Sequence, residues 1–270
     1  MGISRVKDLD LFDSNCMLGR IIAPKPGFPL SVGEVLSVMD EFEIAEALVY
    51  HAMSKEYHPA DGNRVLLDEI AHDQRTNLRS VPVGARRLHP MWVVMPSHTG
   101  EFPDARELVD EMVAQGVRAA RVFPHPDRHN FSLKHWVSEK LLQELEAKSI
   151  PLFVDQEEID WDTVHDLCRR YPKLPLVLTN VGYRANRFLY PLCEKFANLH
   201  IELSNYCGHR AVEALVERFG AQRLLFGTRL PYFTPGSAIG VLNYAGISES
   251  QRKLIAGDNL RNLLERVGDR

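Results

Sequence analysis

Cysteine is scarce in this chain. Its 270 residues hold four, at Cys16, Cys168, Cys193 and Cys207, with no CxxC pair. That spacing excludes a disulfide-stapled scaffold and a cysteine zinc site, and it fits reduced thiols in the cytoplasm. Long apolar runs are missing too. No stretch approaches the roughly 20 residues a membrane span needs, and the charged segment Met1 to Asp13 does not read as a signal peptide. Neither sign of charge dominates: 32 Lys and Arg stand against 36 Asp and Glu, a formal net charge of −4. Such a balance provides no global field for nucleic acid or anionic lipid, and neither is expected as a partner. Finally, no glycine-rich turn follows the first strand-like segment, which argues against an open dinucleotide-binding sheet. What remains is an averagely composed soluble protein, 45% hydrophobic and 25% charged.

Strand-like and helix-like segments alternate along this chain. Ser31-Val32-Gly33-Glu34 is a capping box that opens a helix. Between Asp104 and Gly116, the residues Leu108, Val109, Met112 and Val113 share one helical face, with Asp104 as N-cap and Gly116 as the stop. Further helical stretches run from Thr163 to Tyr171 and from Val212 to Phe219. Short apolar strands are expected at Leu11 and Phe12 onward, Ala47–Tyr50, Met91–Met95, Val117–Phe123, Pro151–Val154, Leu174–Leu178, Leu199–Leu203 and Arg223–Phe226. Eight such strands, separated by helices and without a Pro-, Gly- or Ser-rich linker, predict an α/β fold: a closed (β/α)8 TIM barrel forming one domain over 1–270.

Particular motifs then resemble a known family. Phe12-Asp13-Ser14-Asn15-Cys16-Met17-Leu18-Gly19 is similar to the first strand of amidohydrolase-related (amidohydrolase family 2) TIM-barrel proteins, which carry Asp-x-His-x-His-x-Gly there. Leu225-Phe226-Gly227-Thr228-Arg229-Leu230-Pro231 resembles the eighth strand, Leu-Phe-Gly-Ser/Thr-Asp-x-Pro. Tyr171 to Gly182 resembles the sixth strand, and Ile255-Ala256-Gly257-Asp258-Asn259-Leu260 the signature of the last helix. The resemblance implies a metal-dependent-hydrolase fold with a divalent metal held by strand-end side chains. The matching positions here are Asn15, Met17, Asp155, Asn180 and Arg229. An amide, a thioether and a guanidinium are poor company for a cation, so neither a metal nor another cofactor is expected.

The strand-end loops are nonetheless polar. Arg121 and Arg229, with Arg184, Asn15 and Asn180, are candidates for holding a small anionic substrate, because guanidinium groups fork onto carboxylates and phosphates. Asp155, with His125 or His98, is the candidate for proton transfer. Arg229 has a second reading, as a partner for Asp155 that fills the space of the lost metal. Cys16, pointing away from Asn15 and Met17, reads as core, and Trp136 and Trp161 as packing over loops or helices. The functional expectation is a hydrolase or lyase acting on a small anion without the usual metal, able to form oligomers; the alternative is an inactive barrel with a binding or regulatory role.

Overall fold

The computed structural model describes residues 9–76 and 86–268. Its elements in chain order are β1 (Leu11–Leu18), α1 (Val32–Glu41), β2 (Ile44–His51), α2 (Ala52–Glu56), α3 (Pro59–Thr76), β3 (Leu88–Pro90), β4 (Trp92–Val93), α4 (Ala105–Ala114), β5 (Ala120–Val122) and α5 (His135–Ala147). Then follow β6 (Leu152–Asp155), α6 (Trp161–Arg170), β7 (Leu176–Thr179), α7 (Asn186–Lys195), β8 (Leu199–Glu202), α8 (Ala211–Phe219), β9 (Leu224–Leu225), α9 (Pro235–Tyr244), α10 (Glu249–Lys253) and α11 (Asn259–Glu265). All strand pairs are parallel, in the order β1-β2-β3 and β4-β5-β6-β7-β8-β9. Only Met91 separates β3 from β4, so the two halves serve as one staff, and eight staves result. The ring closes between β1 and the chain beyond β9: Ser14 N donates to Phe226 O (3.0 Å), Met17 N donates to Leu230 O (2.9 Å), and Cys16 bridges Leu230. This is the TIM barrel that the alternation predicts.

Helix starts follow local chemistry. Ser31 and Glu34 form the reciprocal capping box, and the Asp104 carboxylate accepts from Arg106 N and Glu107 N. Gly116 lies just past α4 with φ +73°, a left-handed stop that suits glycine. Trp161 stacks on Phe188 with centroids 5.5 Å apart, whereas Trp136 is 80% exposed rather than packed, because it sits in the first turn of α5 on the solvent side.

Two apolar cores result. The larger lies between strands and outer helices and takes in Cys16 and Leu18 with Val35 and Met39 of α1. The smaller fills the barrel: Phe12, Met17, Leu48, Met91, Phe153, Val177 and Leu225, plugged from below by Leu260, Leu263 and Leu264 of α11. A register shift between Asp13 and Cys16 lets β1 turn Phe12, Asn15 and Met17 inward although their spacing is uneven. Asn259, within the resemblance to the last helix, ties that helix to β9 by donating from Nδ2 to Ala221 O and Leu224 O, each at 2.8 Å. Arg261 and His89 meet the Glu46 carboxylate at the barrel's lower end, with Arg261 Nη2 at 2.8 Å from Oε1. Charge and apolar filling thus occupy the bottom, and polarity toward the opposite end has to come from the strand termini.

Two glycines, Gly19 just after β1 and Gly116 between α4 and β5, compare a crowded turn with an open one. At Gly19 (φ +85°) a Cβ would lie 2.2 Å from His51 Nε2, whereas at Gly116 nothing lies within 4 Å. Gly116→Ala is therefore expected to cost only the left-handed conformation, about 1 kcal/mol. Gly19→Ala adds overpacking and should cost roughly 2 kcal/mol or more. Urea denaturation of the two variants side by side checks the difference.

Candidate active site

Arg121 sits in the middle of β5 and points into the barrel, only 1% exposed. A buried guanidinium needs an anion and several acceptors. It finds them on three other strands, β6, β7 and β1: Nη2 donates to Asp155 Oδ1 at 2.5 Å and to Thr179 Oγ1 at 3.2 Å, and Nη1 donates to Asn15 Oδ1 at 3.2 Å. The Thr179 hydroxyl donates to the same Asp155 oxygen. Aromatic faces close the remaining sides, with Arg121 Cζ 4.6 Å from the Tyr50 centroid and 5.1 Å from that of Phe123. Burial alone would raise the Asp155 pKa, but the Arg121 charge and then the Thr179 hydroxyl outweigh it and hold the carboxyl below its ordinary value.

A second cation stands beside the first. Lys55 comes from α2, is 7% exposed, and places Nζ 5.1 Å from the Phe123 centroid and 5.3 Å from that of Tyr232. Burial is the dominant effect on this amine and lowers its pKa to about 8, against the pull of Asp155. Arg229 is the third. Its Cζ lies 5.8 Å from the Tyr232 centroid and 5.3 Å from that of Phe233, and its side chain keeps 21% of its surface exposed. Arg229 adopts φ +58° and Asn180 φ +57°, left-handed backbone that an arginine accepts only at a cost. The strained pair meets directly: Arg229 Nη1 donates to Asn180 Oδ1 at 2.5 Å, and Nη2 reaches Glu157 Oε1 at 3.4 Å. Neighbouring cations thus share a ring, Phe123 between Arg121 and Lys55, Tyr232 between Lys55 and Arg229.

Glu202 lies on the opposite side of Asn15, fully buried at the end of β8. It accepts from Ser204 N (2.5 Å), Ser204 Oγ (2.9 Å) and Asn15 Nδ2 (3.0 Å). Burial nevertheless pushes its pKa up to about 7, ahead of the lowering by those donors. Gly227 makes room for it, since a Cβ there would stand 2.3 Å from Glu202 Oε1. Asp13 is likewise buried and accepts from Thr228 N at 2.9 Å and from the Thr228 hydroxyl. Asn15 is the shared member, giving its amide to Glu202 and its carbonyl to Arg121.

Several of the residues singled out in the sequence therefore converge: Asn15, Arg121, Asp155, Asn180 and Arg229. The pairing differs from the second of the two readings of Arg229, a partner for Asp155. Asp155 is neutralised by Arg121 from the adjacent strand, and Arg229 is held farther out by Asn180 and Glu157. The histidines stay apart. His98 is exposed, with Nε2 2.9 Å from Val137 O, and His125 Nδ1 accepts from Asp127 N at 3.2 Å in its own loop. Arg184 is exposed in the short turn Tyr183–Ala185. Neither histidine makes a hydrogen bond or ion pair with Arg121, Asp155 or Arg229. Lys55, Thr179, Glu202 and Tyr50 escaped the sequence reading. Glu202 had a signal, a lone acid at an inward position of Leu199-His200-Ile201-Glu202-Leu203, whereas Lys55 between Ser54 and Glu56 had none.

These side chains do not fit a divalent metal. The Arg121 guanidinium lies within hydrogen-bonding distance of Asp155 and Asn15, two of the positions matched to family ligands, and its charge repels a second cation. Among the described residues no group of three His, Cys, Asp or Glu side chains could hold a metal ion.

Known proteins place this architecture. Among curated proteins none matches the chain. Solved structures with the same fold include 5-carboxyvanillate decarboxylase from Sphingomonas paucimobilis (15% identity, TM-score 0.68, covering 96% of this chain and 99% of that one). An uncharacterized TIM-barrel protein from Bordetella bronchiseptica matches at 16% identity and TM-score 0.71, covering 97% and 100%. A probable 2-pyrone-4,6-dicarboxylic acid hydrolase from Acinetobacter baumannii with citric acid bound matches at 16% and 0.64, covering 95% and 100%. At such identities the likeness is one of fold. The family model described as Amidohydrolase matches residues 31–266, most of the barrel and all of its strands after β1, and the chain belongs to that family.

Proposed function

We propose that this barrel takes a small anionic substrate, a carboxylate with a flat or ring-bearing body, at its mouth, and acts on it as a hydrolase or lyase without the family's divalent metal. The observation that carries this reading is the row of three cations separated by rings, Arg121, Lys55 and Arg229, of which only Arg121 is neutralised by a buried carboxylate. Arg229 is the outermost and the natural grip for a carboxylate; Asn180 and Glu157 aim it and do not bury it. Tyr232, Phe233 and Phe123 offer faces for a planar body. The named substrates of two structural neighbours, carboxyvanillate and pyrone dicarboxylate, belong to this class of acid.

Asp155 takes the proton-handling role with a restriction. Both its hydrogen bonds from Arg121 and Thr179 fall on Oδ1, and among the described residues none falls on Oδ2. A carboxylate held below its ordinary pKa is a hydrogen-bond acceptor that orients substrate or water more readily than it removes a proton. The reading does not use His98, His125 or Arg184. No described helix is long and apolar enough to cross a membrane.

The second reading, an inactive barrel that binds or regulates, draws on the same ion pair, because Arg121 and Asp155 satisfy each other without a ligand. Turnover of lactones or aromatic carboxylates that disappears in Asp155→Asn, with carboxylate binding kept, would decide for catalysis.

Titration calorimetry with benzoate and with pyrone dicarboxylate is expected to show binding, and Arg229→Met to weaken it at least about tenfold, some 1.4 kcal/mol. No heat with any carboxylate at millimolar concentration would overturn the reading. Arg121→Met should lower stability by about 3–5 kcal/mol, because it strands a buried Asp155 carboxylate. The double change Arg121→Met with Asp155→Leu removes both charges and should recover most of that loss in urea denaturation.

A further inference from the structure

Lys55 is built as a held amine with no side-chain acid paired to it among the described residues. Its helix α2 is pinned at both ends of its fold environment: the His51 ring accepts from Met53 N at 3.1 Å, and Ser54 Oγ donates to Asn63 Oδ1 at 3.1 Å, while Gly62 of α3 packs so close that a Cβ would lie 2.2 Å from Ser54 N. The side chain is buried, yet among the described residues Nζ makes no hydrogen bond and no ion pair; its close neighbours are the faces of Phe123 and Tyr232. That contrasts with Arg121, also buried, whose Nη2 is ion-paired to Asp155. An ammonium locked to a carboxylate is stabilised in its charged form, whereas an amine walled by rings is left free to lose its proton and use its lone pair. The charged groups acting on it from the surrounding elements are Asp155 on β6, Glu158 in the turn after β6, Arg121 on β5 and Arg128 in the loop after β5, two of each sign. Their contributions oppose one another, and desolvation decides.

We propose that Lys55 is a nucleophile that condenses through Nζ with the carbonyl of a small oxo acid at the barrel mouth, with Arg229 holding the acid's carboxylate across the Tyr232 ring. The inference rests on the reading of the mouth as a carboxylate site and narrows its substrate class to oxo acids. In the addition step the Nζ lone pair forms a bond to the carbonyl carbon and the C=O π pair moves to oxygen, which takes up the proton that leaves nitrogen. Loss of water from this carbinolamine then gives the imine, so one amine and one carbonyl yield one C=N bond and one water, with no oxidant or reductant. Protonated, the imine draws electrons from the bonds of the adjacent carbon, which is what a lyase step beside a carbonyl requires. The acid is held by a residue whose charge does not change at working pH, and the amine is a residue whose charge does, so binding and bond formation have separate owners.

The test uses the native full-length protein, with glyoxylate as the aldehyde acid and cyanoborohydride to reduce the imine, read by intact mass and peptide mapping. One carboxymethyl group is expected at Lys55, appearing at least about tenfold faster than at the exposed lysines, because burial raises the neutral fraction of this amine near neutral pH. The rate should rise with pH and level off above about 8, since the neutral form is the reactive one. Lys55→Arg, which keeps the charge, should lose this label and leave the slow labelling elsewhere unchanged. Labelling of Lys55 no faster than that of the exposed lysines would overturn the inference, and the peptide map of the native protein suffices to show it. Benzoate, which has no carbonyl able to form an imine, separates the two readings. Benzoate bound without preferential label at Lys55 sinks the nucleophile alone. Preferential label that benzoate neither slows nor accompanies with binding heat sinks the carboxylate site and leaves the reactive amine.

Discussion

The buried ion pair between Arg121 and Asp155 is the constraint around which the mouth of this barrel is arranged. A guanidinium 1% exposed at the centre of a parallel barrel carries a desolvation cost of several kcal/mol, and the structure offsets it at both Nη atoms and with ring faces, leaving Nε without a hydrogen-bond partner among the described residues. Asp155 supplies the opposite charge, Thr179 and Asn15 supply acceptors, and Tyr50 and Phe123 present ring faces. Each of these residues comes from a different stave, so the pair fixes the rotation of five strands about the barrel axis at once. Asn15 passes the constraint on: with its carbonyl committed to Arg121, its amide is committed to Glu202, and Glu202 in turn requires that position 227 be glycine.

The same arrangement occupies the positions at which the family resemblance implies a divalent metal. A divalent ion would need anionic or imidazole ligands converging on a point. Here the converging groups are an amide, a hydroxyl, a carboxylate and a guanidinium, and the positive charge is covalently attached to β5. Because that charge is already neutralised, it adds little to the attraction of a ligand. The surplus resides in Lys55 and Arg229, nearer the rim and separated from the pair by Phe123 and Tyr232. Rings between cations let three positive groups share one mouth, since each guanidinium or ammonium faces a negative π cloud instead of another cation.

Energetic layering follows the depth of the barrel. At the bottom, Glu46, His89 and Arg261 form a polar seal, and the leucines of α11 plug the space above it. The middle is apolar. Toward the mouth, ionisable groups are buried with pKa values moved in opposite directions: Asp155 down by its cation, Glu202 up to about 7 and Lys55 down to about 8 by burial. A barrel that concentrates such groups at its C-terminal rim keeps chemistry away from the end that provides stability.

Much of the fold was legible in the chain. Eight apolar segments, the Ser31 and Asp104 caps and the Gly116 stop are local matters of periodicity and hydrogen bonding, and the strands and helices appear within a few residues of where those signals put them. Asn15, Arg121, Asp155, Asn180 and Arg229 were legible too, because strand ends of a parallel barrel share one rim whatever their separation in sequence. Partner choice was not. Arg121 rather than Arg229 pairs with Asp155 because the register of β5 against β6 sets Arg121 beside Phe153 and its guanidinium reaches two residues up, while Arg229, on left-handed backbone, is held by Asn180 and Glu157. Nor could the sequence single out Lys55, an ordinary lysine on a five-residue helix until two rings from distant strand ends enclose it. Local composition and periodicity determine which elements form and in what order. Which charge meets which, and which amine is left without a partner, depend on distances across the barrel, and those exist only once it closes.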